Sequence, residues 1–181
     1  MKVTATAIPD VLIFEPAVFK DERGHFFESF NQKNFEDATG FKACFVQDNQ
    51  SHSRKGILRG LHYQIEQPQG KLVHVIQGEI FDVAVDLRRK SPTFGKWAGM
   101  VLSGGNNKQI WLPPGLAHGF LVLSETADVF YKVTDYYAPQ HERSLMWNDP
   151  GIGIMWPKGA SPTLSAKDRM ALPLSQAEVF A

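Results

Sequence analysis

Apolar and polar residues alternate along most of this chain in short runs, each closed by glycine, proline or a polar cluster. Alternation with a period of two marks a strand with one buried face. Residues 80–87 give the clearest case, with Phe81, Val83, Val85 and Leu87 sharing a face. Residues 71–76, 97–102, 109–112, 119–123 and 129–134 read as further strands, and residues 45–49 as one that ends in polar residues. Gln77, Gly78 and Glu79 read as a hairpin turn, residues 103–107 as another turn, and residues 51–56 as a polar, basic loop. Near the N-terminus, Asp21 to Gly24 is a turn, and residues 25–30 form a strand with Phe26, Glu28 and Phe30 on one face. A Glu between two Phe is unusual for a core, so Glu28 is expected to point into a cavity. Asn31 can cap a helix over residues 31–38, with Phe30 and Phe35 as a hydrophobic staple and Gly40 as the stop. Helical character returns only in residues 165–170. Roughly eight to eleven short strands with Gly- or Pro-rich turns predict an all-β sandwich or barrel, with short helices near the N- and C-termini. No repeat or linker divides the chain, so residues 1–181 are expected to form a single domain.

The stretch Leu58–Gln64 breaks the apolar pattern with Arg59, His62 and Gln64. In a regular strand Arg59 and His62 face opposite ways, and a bulge at Gly60 would turn both inward. Lys71, His118 and Tyr131 sit in similar β-rich runs. These runs are expected to line one barrel interior with His62 at its chemical centre. A His that changes charge near neutrality suits a general base and needs a partner to fix its tautomer. Asp168 is that partner if the tail folds back over the mouth. Ser165 to Asp168 also has the form of a capping box, in which Asp168 only closes a helix start. Tyr131 is either a core tyrosine with its hydroxyl at the rim or a general acid across the cavity from His62. Lys71, on the face of Val73 and Val75, either snorkels at a rim or meets an anion. Arg23, Arg59 and Lys167 are candidates for phosphate, which suits the arginine fork. Tyr136 and Tyr137 offer either a base-stacking surface or rim packing.

Composition narrows these choices. Lys+Arg and Asp+Glu both number 19, so the formal net charge is zero. No global field favours nucleic acid or an anionic membrane, and any anion site must be a local cluster. The one cysteine, Cys44, excludes an intrachain disulfide and fits a reducing cytoplasm. No run approaches the ~20 apolar residues of a membrane span, and the N-terminus lacks a signal-peptide core. A metal-binding barrel of the cupin type pairs two His on one strand, but the second place here is Gln64. His62, His118 and a Glu still form a conceivable metal set. Lys71 and the arginines suit an anionic substrate better than a metal cage.

Several longer motifs occur in one order: Phe19-Lys20-Asp21-Glu22-Arg23-Gly24, Phe45-Val46-Gln47-Asp48-Asn49, Leu58-Arg59-Gly60-Leu61-His62, Gln69-Gly70-Lys71-Leu72-Val73, Phe81-Asp82-Val83-Ala84-Val85-Asp86, Ser91-Pro92-Thr93-Phe94-Gly95, Pro114-Gly115-Leu116-Ala117-His118-Gly119-Phe120 and Leu164-Ser165-Ala166-Lys167-Asp168. With them the chain resembles, essentially end to end, the dTDP-4-dehydrorhamnose 3,5-epimerases. The resemblance implies a cupin-like jelly-roll barrel, a homodimer, and no metal or redox cofactor. It implies His62 as base paired to Asp168, Tyr131 as acid, and Lys71 as the stabiliser of an enolate. It implies substrate contacts from Arg23, Phe26, Glu28, Gln47, Asn49, Arg59, His118, Glu142 and Lys167, with Tyr137 stacked on thymine. The implied substrate is dTDP-4-dehydro-6-deoxy-D-glucose, inverted at C3 and C5 to dTDP-4-dehydro-L-rhamnose. Rival readings are a single-centre epimerase, a non-catalytic sugar-nucleotide-binding cupin and a metal-dependent cupin oxygenase.

Overall fold

Thirteen strands and two short α-helices make up the structure, a computed structural model that describes residues 1–181. In chain order they are β1 (Lys2–Ala5), β2 (Leu12–Glu15), β3 (Phe19–Asp21), β4 (Gly24–Phe26), α1 (Gln32–Thr39), β5 (Gln47–Arg54), β6 (Leu58–Gln64) and β7 (Lys71–Gln77). There follow β8 (Glu79–Asp86), β9 (Trp97–Ser103), β10 (Gln109–Leu112), β11 (Leu116–Val122), β12 (Thr126–Val133), β13 (Glu142–Ser144) and α2 (Ala166–Arg169). One sheet orders its strands β1-β2-β10-β7-β12-β5, the other β13-β6-β11-β8-β9, and β3-β4 stand apart as an arm. From β5 to β12 every connection except β8–β9 switches sheet, which is the weave of a jelly roll.

That weave corrects one expectation. The Gln77-Gly78-Glu79 turn joins β7 to β8 in opposite sheets, so it is a corner and not a hairpin. Gly78 has φ 82°, and a Cβ there would lie 2.1 Å from the Thr126 carbonyl oxygen. Residues 103–107 form the expected turn and likewise carry the chain from β9 to the other sheet. A second correction concerns residues 51–56, read as a loop: Ser51 to Arg54 belong to β5. This edge strand is polar on both faces because one meets solvent and the other, through Ser51, meets a cavity.

The main core lies between the sheets, around Val73, Val75, Ile80, Leu102, Ile110 and Val129. The period-two reading of β8 matches its surroundings. Val83, Val85 and Leu87 pack into a second cluster on the outer face, covered by Ile152, Trp156 and the C-terminal residues. Ile80 and Ala84 point into the main core. On the other sheet's outer face, α1 buries Phe35 against Phe14, Leu72 and Trp111. Asn31 caps α1 by accepting from Asn34 N–H at 3.1 Å, and Gly40 closes it with φ 66°. The Phe30 and Phe35 rings lie 6.0 Å apart as the staple.

The strand expected over residues 25–30 ends at Phe26. Glu28 borders only a narrow cleft of about 20 Å³ beside α1, not a larger cavity. Its carboxylate accepts from the Asn31 and Asn34 side chains, both at 3.1 Å, at the start of α1.

Candidate active site

The site is set by an irregularity in β6. His62 pairs with His118 of β11, but Arg59 pairs with Phe120, so β6 has one more residue than β11 between the two pairs. The bulge centres on Gly60, with φ 109° and a backbone so close to β11 that a Cβ would meet the His118 carbonyl oxygen at 2.6 Å. Only glycine fits there. The extra residue lets Arg59 and His62 line the same cavity, of about 750 Å³.

Two His–carboxylate pairs stand on this wall. His62 Nε2 lies 2.5 Å from Asp168 Oδ1, with 24% of the His62 side chain exposed and 3% of that of Asp168. The tail reaches the barrel through Leu58 N–H on the Thr163 carbonyl, 3.1 Å, and Thr163 N–H on that of Gly56, 2.8 Å. Both sequence readings of Asp168 hold at once. Its N–H donates to Ser165 Oγ at 3.1 Å as a helix cap, and its Oδ2 accepts from the same hydroxyl at 2.8 Å. Burial opposes ionisation of Asp168, but His62, Ser165 and Lys167 together hold its carboxyl below the usual range. In the second pair, His118 Nε2 lies 2.8 Å from Asp82 Oδ2. Asp82 is fully buried, and its Oδ1 has no hydrogen-bond partner.

The facing sheet supplies Lys71 and Tyr131, which line the same cavity. Burial pushes the Lys71 ammonium down to about 8; Glu142 and Asp82 pull it back up, and Lys167 adds to the lowering. No hydrogen bond contributes, so its charge faces the cavity without a contact partner. Burial raises the Tyr131 hydroxyl's pKa, with Arg59 opposing and Glu142 reinforcing, so Tyr131 holds its proton at neutral pH.

An adjoining cleft of about 280 Å³ shares His62, Lys71 and Tyr131 and continues to Gln47, Asn49 and Tyr137. Tyr137 donates its hydroxyl to Glu142 Oε2 at 2.9 Å, and Lys167 Nζ donates to Glu142 Oε1 at 2.8 Å. Burial works against the Glu142 carboxylate, yet these two donors and nearby His62 keep it below its ordinary pKa. Gln47 accepts from Tyr137 N–H at 3.1 Å and donates to Asn49 at 2.8 Å. Arg59 is steered by Ser53 Oγ at 2.9 Å.

The structure thus brings His62, Lys71, Tyr131, Asp168, Arg59, His118 and Lys167 to one cavity and Gln47, Asn49, Tyr137 and Glu142 to its extension. It does not bring Arg23, Phe26 or Glu28 there. Arg23 and Phe26 ride on the exposed β3–β4 arm, where Arg23 pairs with Asp21 at 2.5 Å, and Glu28 is engaged at α1. Two polar groups were missed. Asp82 had a signal, a carboxylate alternating with Ile80 and Ala84 on a core face; Ser165 was read only as a cap. No three His, Cys, Asp or Glu side chains converge to hold a metal ion. Gln64, at the second place of a cupin His pair, turns its amide to backbone groups instead.

Comparison with known proteins agrees with this geometry. The sequence model of the dTDP-4-dehydrorhamnose 3,5-epimerase family matches residues 5–176. A Pseudomonas aeruginosa dTDP-4-dehydrorhamnose 3,5-epimerase is 59% identical over 180 residues, 99% of each chain. The solved Legionella pneumophila dTDP-6-deoxy-D-glucose-3,5-epimerase, in complex with dTDP-4-keto-L-rhamnose, is 52% identical. It superposes with a TM-score of 0.95 over 98% of this chain and 94% of that one. A 3'-monoepimerase from Streptomyces bikiniensis in complex with dTDP-quinovose is 35% identical, with a TM-score of 0.89 over 94% and 87% of the two chains. From Ala5 through Gln176, then, this chain belongs to the dTDP-4-dehydrorhamnose 3,5-epimerase family.

Proposed function

We propose that residues 1–181 act as one domain that inverts C3 and C5 of dTDP-4-dehydro-6-deoxy-D-glucose, giving dTDP-4-dehydro-L-rhamnose. The observation that carries this reading is the division of proton-handling groups between facing walls: His62 on one sheet, held by Asp168 of α2, and Tyr131 with Lys71 on the other. Protons at C3 and C5 are acidic because both carbons flank the C4 ketone. His62 takes one proton from one face, and the electron pair delocalises onto O4 as an enolate. Asp168 steadies the imidazolium that forms. The Lys71 ammonium, itself desolvated by burial, stabilises the developing oxyanion on O4. Tyr131 returns a proton to the opposite face of the same carbon, which inverts it. The Tyr131 phenolate is reprotonated and His62 discharges its proton to solvent before the second centre reacts. Arg59 and Lys167 suit the diphosphate, and Tyr137 the thymine face.

A homodimer belongs to the same reading. Phe19 and Phe26 expose 66% and 72% of their surface on an arm whose strand residues are all exposed. A partner's cavity is a place for that arm, and it would bring Arg23 and Phe26 to substrate. The free thiol of Cys44 supports a cytoplasmic location.

The test is incubation with the dTDP-4-keto sugar in deuterium oxide, followed by proton NMR. Loss of both the C3 and C5 signals is expected, and loss of neither from His62→Ala. Exchange at one carbon alone makes the protein a single-centre epimerase. No exchange despite binding defeats the catalytic reading.

A further inference from the structure

Tyr137 is half exposed, yet the backbone around it is held unusually firmly. Gln64, the last residue of β6, is only 4% exposed. Its Oε1 accepts from Ala138 N–H at 2.9 Å, and its Nε2 donates to the Tyr136 carbonyl at 3.2 Å and to that of Gln67 at 2.8 Å. It therefore grips the peptide groups on both sides of Tyr137. Gln47, the first residue of β5, takes the remaining amide, Tyr137 N–H, at 3.1 Å. β5 and β6 belong to opposite sheets, so the segment 136–138 is pinned across the mouth of the barrel from both walls. Ala138 is only 5% exposed, so its N–H needs a partner in any case. The same clamp also fixes the backbone on both sides of Tyr137, and with it the angle at which the half-exposed ring stands.

We propose that Gln64 is a positioning residue for nucleotide recognition: it presets the Tyr137 ring as a platform for the base of the dTDP group. The inference rests on the reading of Tyr137 as the base-stacking residue. Gln64 does not handle protons. It acts through the 136–138 backbone, and its amide is suited to the task because one end must accept and the other donate twice. Neither a His nor a carboxylate supplies that combination.

The consequence is a binding effect. If release of the clamp leaves the platform competent in about a tenth of molecules, the apparent Kd for dTDP rises about tenfold. Since the platform touches substrate and transition state alike, KM follows while kcat falls by less than about threefold. The experiment measures dTDP affinity by calorimetry and the steady-state constants for the wild type, Gln64→Met, Tyr137→Ala and the double variant. Gln64→Glu serves as a second probe, since it keeps volume and the acceptor but sets a charge against two carbonyls. Thermal melts confirm folding of each. Weaker binding in Gln64→Met or Gln64→Glu, absent when Tyr137 is already Ala, supports the proposal. An equal loss in the Tyr137→Ala background, or a Kd within about twofold of wild type, overturns it. If Tyr137→Ala itself binds dTDP normally, the stacking reading fails and the positioning role fails with it. If Tyr137→Ala binds weakly and Gln64→Met normally, only the role of Gln64 is lost.

Discussion

Replacing Lys71 by Met should raise stability and remove most of the activity together. Lys71 sits among apolar strand residues with Val73 and Val75 buried on its face, and burial pushes its pKa from 10.5 to about 8. A base with a lowered pKa holds its proton less tightly in the folded chain than in the unfolded one. The folded state thus carries a penalty that is full below pH about 8 and disappears as the pH rises towards 10.5. A displacement of that size corresponds to about 3 kcal/mol, an upper bound because the cavity mouth admits solvent. Methionine keeps the unbranched stem and removes the charge. At pH 7 it should gain about 1–3 kcal/mol, or about 3–10 °C in Tm for a chain of this length. Removal of an oxyanion-stabilising group lowers kcat by about 10²–10³-fold. Melting curves of both proteins at pH 7, 8.5 and 10, beside the deuterium-exchange rate, test this. The Tm difference should be largest at pH 7 and shrink through the alkaline range. A Met variant that melts below wild type at pH 7, or a difference that ignores pH, refutes the reasoning.

Three further outcomes follow from named contacts. Ser165→Ala removes both the α2 cap and the second hydrogen bond to the Asp168 carboxylate. Stability should fall by about 1 kcal/mol, and the acid limb of the pH–rate profile should move to higher pH because the charged form of Asp168 loses a donor. Tyr131→Phe should keep proton removal by His62 but lose most inversion, so that NMR shows solvent deuterium entering the starting sugar faster than product forms. Fully buried Asp86 has donors in Arg88, Ser91 and Thr93, which overcome burial and lower its carboxyl to about 2. Its contribution of about 2 kcal/mol should be present above pH about 4 and fade as the pH falls towards 2. Urea melts of wild type and Asp86→Asn at pH 5 and 3 should therefore converge at the lower pH.

Much of this could be read from the chain because its chemistry sits on strands. Alternation put Val73 and Val75 beside Lys71, and Val129 and Val133 beside Tyr131, so the polar residues declared themselves against apolar neighbours. The bulge at Gly60 was legible because Arg59 and His62 cannot otherwise share a face. Sheet membership was not. A glycine turn such as Gly78 looks the same whether it folds a hairpin or turns a corner, and the difference lies in partners far along the chain. Polar β5 hid as a loop for a physical reason: a strand between solvent and a wet cavity has no apolar face. Asp82 was in plain view, but its partner, His118, is supplied by a strand 36 residues away.

The number of inverted centres is a separate matter from the fold. A 3'-monoepimerase shares this architecture with a TM-score of 0.89, so the jelly roll by itself does not impose two inversions. C3 and C5 flank the same ketone, and one ammonium at O4 serves both enolates. In the starting sugar H3 and H5 are both axial on one face of the ring, so a single seating can offer both to His62. Double inversion then depends on the ligand staying held while the two centres exchange in turn. In the proposed mechanism that hold lies outside the reacting well, in Tyr137, Glu142 and Lys167 at the rim. Loosening the rim should then lower the second exchange more than the first. A Tyr137→Ala variant that slows C3 and C5 exchange by the same factor would show that the second exchange does not depend on the anchor.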